Sequence, residues 1–324
     1  MRSVLSLLLV PLLLATFAGC EREPAFTSDG KRKVTLKLYW IPQPQFGGFY
    51  EAQRIGAFAR RGLEVQIVPG NVGAPSLDMV AAGTAEFGLS SSDEILRARA
   101  IGKPVVALFS TYQTSPQAIM TPKARGIERF DELFASGTLA IESGKAFSEF
   151  LERKYGFEKV KLTESPFGNL TRYLSEADYA MQCFITEEPI LARGKGVEPS
   201  VFLISESGFN PYVGLVITND RLLQSDPKLV EDFTAAVVEG WTSYLADPAA
   251  ANALMHELNR DMDPAAFAAS AAAQLPLIQT AETAQLGVGA MTAERWETMG
   301  RQLVEVGQIE RVPPVAECFR WTQR

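Results

Sequence analysis

The chain has 324 residues, a net charge of -7, and 47% hydrophobic against 21% charged residues. That length is too great for one small core and suits two lobes, and the composition is that of a folded globular protein. The acidic balance leaves no electrostatic footprint for nucleic acid, and a single histidine (His256) with no cysteine pair at ligand spacing argues against a zinc site and names no cofactor.

In chain order, Arg2 gives a short positive start, Val4 to Phe17 is apolar, and Ala18-Gly19-Cys20 follows. Such a run is too short for a comfortable membrane span and reads as a secretory signal over residues 1–19. The small residues ending in Cys20 resemble the lipobox of bacterial lipoproteins, with Phe17 in place of the usual Leu. That resemblance implies cleavage before Cys20, a lipid on its thiol and an extracytoplasmic, membrane-anchored protein; the alternative is a plain secreted protein. Residues 20–33, with Pro24, Ser28, Asp29 and Gly30, read as a flexible tether. Cys183 and Cys318 are free to pair in that compartment or to stay as separate buried thiols.

Beyond the tether, strand and helix alternate. Val34–Trp40 is expected as a strand, Phe49–Arg61 as an amphipathic helix, Leu63–Val68 as the next strand and Ser76–Ala82 as a short helix. Glu86–Leu89 follows as a strand. Ser91-Ser-Asp-Glu94 has the form of a capping box opening a helix to Ala100, and Val105–Thr111 is a buried strand. Gln117–Thr121 begins a second α/β set that runs to Ile204, Tyr212–Thr218 leads back, and from Pro227 the chain is helical and alanine-rich. The expected fold is therefore α/β and two-lobed: residues 34–119 with 213–324 as lobe 1, 120–212 as lobe 2. Two strands cross at a hinge, near 118–122 and 210–217, and a ligand cleft lies between the lobes.

The segment from Trp40 to Tyr50 carries most of the functional signal. It joins a strand to a helix through two prolines, two glutamines and two glycines, which brings a ring face, side-chain amides and free backbone N–H groups together. Trp40-Ile-Pro-Gln-Pro-Gln-Phe-Gly-Gly-Phe-Tyr-Glu-Ala52, with Gly56-Ala-Phe58 and Gly62-Leu-Glu-Val65, resembles the opening of the thiamine-precursor (pyrimidine) binding proteins of ABC importers. These form a wider family with the alkanesulfonate, taurine and nitrate receptors. Gly83-Thr-Ala-Glu-Phe-Gly88 and Ile185-Thr-Glu-Glu-Pro189 match later motifs of that family in order. The resemblance covers roughly residues 34–240 and implies a type II periplasmic-binding-protein fold. It also implies a non-enzymatic receptor, without cofactor or metal, that captures a small heteroaromatic nitrogen compound by lobe closure. The partners implied are an ABC permease and the small-molecule ligand, with the receptor a monomer. The pyrimidine-binding branch of this family and the related pyrimidine synthases carry His where this chain has Phe46; the synthases consume that His and also need a cysteine-rich motif that is missing here.

The resemblance places Trp40, Gln45 and Phe46 on one side of the ligand and Glu187 on the other; Gly47, which allows close backbone approach at the helix start, and Tyr50 are further ligand-binding candidates. Read from the residues, Trp40 stands at a strand end as a stacking face or as core, and Phe46 lines the cleft or packs beneath the loop. Ser90 and Ser91 follow the third strand, Ser91 as a cap and Ser90 as the better ligand candidate. Adjacent Glu187 and Glu188 point apart, so one of them faces the cleft. A carboxylate there accepts from a donor-rich ring and repels sulfonate or nitrate. Ser143-Gly-Lys145 is either a weak anion site or a solvated lysine in a capping loop. Tyr112, Asn210 and Tyr212 lie near the crossings, where they line the cleft or lock the hinge. A sulfonate, nitrate or taurine receptor, a pyrimidine-synthase-like enzyme and a ligand-sensing module are the competing readings.

Overall fold

The computed structural model describes residues 25–71, 73 and 75–321; the signal-like segment and Cys20 lie outside the described residues. The stretch expected as a tether is structured from Ala25 on. Lys33 N–H donates to the Ala25 carbonyl at 2.8 Å, and the Arg32 guanidinium lies over the Phe26 ring.

Alternation of Val34, Leu36 and Leu38, all buried, sets one face of β1 (Arg32–Lys37) into the core. After α1 (Gly47–Arg54) come β2 (Leu63–Val68), α2 (Ser76–Ala81), β3 (Phe87–Ser91), α3 (Ser92–Ala100) and β4 (Val105–Tyr112). The next set is β5 (Gln117–Pro122), β6 (Thr138–Ala140), α4 (Ala146–Tyr155), β7 (Lys161–Thr163), α5 (Thr171–Ser175), β8 (Tyr179–Phe184), α6 (Glu188–Gly194) and β9 (Pro199–Leu203). β10 (Val213–Asn219) returns the chain to the first set. Seven helices follow: α7 (Asp220–Ser225), α8 (Pro227–Ala246), α9 (Ala249–Leu258), α10 (Pro264–Ile278), α11 (Ala281–Leu286), α12 (Ala293–Glu305) and α13 (Val315–Cys318).

Two sheets result, ordered β2-β1-β3-β10-β4 and β7-β6-β8-β5-β9. Each is parallel on one side and carries one strand antiparallel to both neighbours, β10 in the first and β5 in the second. The reversed strand in each sheet is the one that follows a crossing. The crossings themselves are short irregular connections, not strands. Gln117 already pairs with Phe184 in the second sheet, and Val213 already pairs with Ser91 and Tyr112 in the first. The first crossing therefore falls earlier than the hydrophobic pattern suggests, between Tyr112 and Gln117.

Helix α1 is shorter than expected because Gly56 turns the chain at φ +73°, leaving only a 3-10 turn at Ala59–Arg61. Its glycines permit a close crossing with α8: a Cβ on Gly48 would stand 2.3 Å from the Trp241 ring. The capping box does not form. Ser91 is the residue before α3, but its hydroxyl donates to Asp93 at 2.6 Å, and Glu94 accepts from Ser90 at 2.8 Å. Trp296, Met299 and Leu303 of α12 join a buried cluster that also contains Phe134, Phe147 and Phe157 from the second set, so the lobes share apolar packing along one side. Cys183 in β8 and Cys318 in α13 are both buried and unpaired. Among the described residues no helix is long and apolar enough to cross a membrane.

Candidate functional site

The C-terminal ends of β1, β6, β7 and β8 converge between the two sheets, the place where open α/β folds bind ligands. β1 delivers Tyr39 and Trp40. The loop that follows makes a single 3-10 turn, Pro44–Phe46, whose first residue needs no N–H partner because it is proline. Two carbonyls of this loop are anchored by the C-terminal helices: Asn259 donates to Pro42 O and Gln274 to Pro44 O, each at 2.9 Å. From the other side, β6 leads to Glu142, β7 to Ser165 and Phe167, and β8 to Gln182, Phe184, Glu187 and Glu188. Together with Gln45 these residues line a cavity of about 160 Å³.

Polar groups on the two walls meet directly. Gln45 Nε2 donates to Gln43 Oε1 at 3.3 Å, and Gln43 Nε2 donates across the cleft to Glu187 Oε1 at 2.8 Å. Glu188 turns inward and accepts the Phe184 N–H at 2.8 Å. Glu142 and Gln182 hold each other twice: the Gln182 carbonyl accepts the Glu142 N–H at 2.6 Å and its amide donates to Glu142 Oε2 at 2.8 Å. Lys145 stands 3.9 Å from the other Glu142 oxygen. Burial pushes the Glu187 carboxyl up, against the lowering effect of Gln43. Burial, with the neighbouring Glu187 charge added, pushes Glu188 up to about 8. The site is thus aromatic on one wall and rich in carboxylates on the other.

Of the residues singled out in the sequence, the structure brings Trp40, Gln45 and Glu187 together in this cavity. The others lie around it. Phe46 is fully buried and meets the Tyr39 ring edge-on, with centroids 5.2 Å apart. Gly47 lies against Tyr244, where a Cβ would have no room. Tyr50 lines a different hollow. Ser90 and Ser91 spend their hydroxyls on Glu94 and Asp93. Tyr112 donates to Gln274 at 2.8 Å inside the first core. Asn210 accepts the Ser115 N–H at 2.9 Å and ties the two crossings together. The Tyr212 hydroxyl accepts from the Thr292 N–H, and the Arg295 guanidinium lies 3.9 Å from its ring centre. Asn210 and Tyr212 therefore brace the crossings and do not line the cavity.

Tyr39, Gln43, Glu142, Ser165, Phe167 and Gln182 escaped the sequence reading. Tyr39 carried a usable signal, since it directly precedes Trp40 at a strand end; the second-wall residues come from short strands with no motif of their own. The larger hollow, about 780 Å³, is lined by Tyr50, Ile67, Gln66, Leu258 and Arg260 among others, all from the first set and its helices. It joins no groups across the two sheets, and Gln53, Gln66, Leu258 and Arg260 are exposed, so it lacks the convergent polar groups of the cleft. Among the described residues no three His, Cys, Asp or Glu side chains gather as a metal would require.

The model of the family described as NMT1/THI5 like matches residues 43–251. The riboflavin-binding protein RibY of Chloroflexus aurantiacus is 26% identical, the alignment covering 97% of this chain and 95% of that protein. The formylaminopyrimidine-binding protein of Halalkalibacterium halodurans is also 26% identical, over 97% and 96% of the two chains. A 4-amino-5-hydroxymethyl-2-methylpyrimidine phosphate synthase of Saccharomyces cerevisiae, THI13, is 26% identical over 67% of this chain and 68% of the synthase. Among solved structures, the periplasmic aliphatic sulphonate binding protein SsuA of Escherichia coli superposes with a TM-score of 0.69 at 13% identity, covering 90% of this chain and 93% of that one. That likeness establishes the two-lobed periplasmic-binding-protein fold.

Proposed function

The chain belongs to the NMT1/THI5-like family, and we propose that within it the protein is the solute-binding receptor of an ABC importer. Its ligand is a small heteroaromatic nitrogen compound of the thiamine-pyrimidine kind, trapped as the two lobes close. The observation that carries this reading is the cleft itself, where Trp40 from the first sheet and Glu187 from the second line one cavity. An aromatic face takes the ring and a carboxylate takes its amino donors. The size is also informative. At ~30 Å³ per water, a cavity of about 160 Å³ equals roughly five waters, well under the ~300–1,000 Å³ of sites for larger ligands.

Three carboxylates, Glu142, Glu187 and Glu188, also line the cavity. Their acceptor oxygens disfavour sulfonate, nitrate or taurine, although the fold is shared with a sulfonate receptor. A synthase reading is disfavoured because Phe46, buried under Tyr39, offers no imidazole. In this proposal the mature protein begins at lipidated Cys20, stands outside the cytoplasm and docks as a monomer on a membrane permease. The lobes that move are built on the two sheets, with the hinge at the crossings braced by Asn210 and Tyr212.

Mass spectrometry of the small molecule released on denaturing natively purified protein tests the reading: a single-ring amino heterocycle is expected, and a sulfonate would overturn it. Calorimetric titration of Glu187→Gln with an aminopyrimidine should show affinity lower by about 10- to 100-fold, the loss of one charge-assisted hydrogen bond. Cys20→Ala should move the protein from the membrane fraction to the soluble one.

A further inference from the structure

Among the described residues several ring donors are buried without a hydrogen-bond partner, and most belong to packed cores or to the flank hollow. Two stand out by position. The Tyr39 hydroxyl and the Trp40 indole N–H are both buried, both unpartnered, adjacent in sequence, and both on residues that line the cleft. A buried donor without an acceptor is costly, of the order of a lost hydrogen bond, and is tolerated where function uses it. Glu94 Oε2 accepts from Ser90 and Gln43 Oε1 from Gln45, and neither residue accepts from Tyr39 or Trp40. Burial, with the charge of Glu94 added, pushes the Tyr39 hydroxyl pKa up, so it remains a donor throughout any working pH range. The opposite wall holds acceptors, the carboxylates of Glu142 and Glu187.

We propose that the Tyr39 hydroxyl reads an acceptor, so that the ligand, its ring against the Trp40 face, carries a ring nitrogen or carbonyl on the edge opposite the amino group taken by Glu187. This rests on the heteroaromatic-receptor reading and deepens it. The ligand is thereby defined by polarity, with donors toward the second sheet and an acceptor toward the first. Phe46 has a role in the same device. Fully buried and edge-on to Tyr39 at 69°, it fixes the ring and so the direction of the hydroxyl. Tyr39 is the specificity-determining residue and Phe46 the positioning residue.

The test uses 4-aminopyrimidine, which has an amino group and ring nitrogens, and aniline, which has the amino group and no ring acceptor, in calorimetric titrations of the full chain. Wild type should bind 4-aminopyrimidine at least tenfold tighter than aniline. Tyr39→Phe, which keeps the ring and the packing, should weaken 4-aminopyrimidine by about tenfold and leave aniline unchanged. Phe46→Leu should give a smaller selective loss that disappears in the Tyr39→Phe background, which a merely structural role would not do. Equal losses for both probes in Tyr39→Phe, or no loss, overturn acceptor recognition by Tyr39 while the receptor reading stands. Failure of the wild type to bind 4-aminopyrimidine overturns the receptor reading and this inference with it.

Discussion

The two walls of the cleft are built on different principles. The first, Tyr39 to Phe46, stands on apolar packing: Phe46 and Phe49 are fully buried, and the glycines of α1 press against Trp241 and Tyr244 of α8. The second is held by hydrogen bonds to its charged side chains, Gln182 to Glu142, the Phe184 backbone N–H to Glu188 and, from the first wall, Gln43 to Glu187. Apolar packing fixes the shape of the first wall, although its Tyr39 and Trp40 donors stand unpartnered; each carboxylate of the second must keep a donor in place of water. The contrast implies a stiff platform on one side and, on the other, a surface whose energy depends on what occupies the cleft.

Breaking the platform should produce the largest effect. Gly48→Leu forces a side chain into the Trp241 ring and should cost about 3 kcal/mol of stability in urea unfolding. A change below about 0.5 kcal/mol would mean that α1 and α8 do not press together as described.

The carboxylate wall should show itself in pH dependence. Glu188 is raised to about 8, and a carboxyl raised in the folded state binds its proton more tightly there than when unfolded. The stability it contributes is complete below the ordinary carboxylate pKa and is lost as pH rises toward and through about 8. Ligand-free protein should therefore lose stability with rising pH over that window, by up to about 1.4 kcal/mol per pH unit for one proton. Glu188→Gln should flatten the slope in denaturation measured from pH 5 to 8. Ligand affinity should run the other way: amino donors favour the ionised Glu187, whose own carboxyl is raised by burial, so binding should release protons and tighten as pH rises. Titrations in buffers of different ionisation enthalpy would detect that release, and its absence would detach Glu187 from the ligand.

The smallest effect should come from Lys145. It is half exposed and 3.9 Å from Glu142, so Lys145→Ala should change affinity by less than about twofold. A large loss would instead revive Ser143-Gly-Lys145 as an anion site.

The platform was legible in the sequence, and the second wall largely was not. Trp40, Gln45 and the glycines of α1 sit in one continuous segment whose spacing carries meaning by itself. Glu187 stands out in the sequence because it lies two residues before Pro189 in a recognisable motif. Glu142, Ser165, Phe167 and Gln182 reach the cleft from the ends of three short strands, and nothing local marks them; only the parallel register of β6 with β7 and β8 brings them together. The apparent capping box misled because Ser90, one residue upstream, outcompetes the Ser91 backbone for Glu94. Closeness to the crossings leaves Tyr112 and Tyr212 as cleft-lining or hinge-locking residues; Gln274 holds Tyr112 in the first core, and the Thr292 N–H and Arg295 hold Tyr212 at the crossing.

The anchors of the recognition loop bear on the order in which the protein matures. Asn259 holds Pro42 across 217 residues of sequence and Gln274 holds Pro44 across 230. A ribosome adding ~5–20 residues per second makes these anchors roughly 10–50 s after the loop. The loop proposed to meet the ligand is thus among the first of the described segments to be synthesised and among the last to be anchored, and a chain cut short before Gln274 would lack the hold on Pro44.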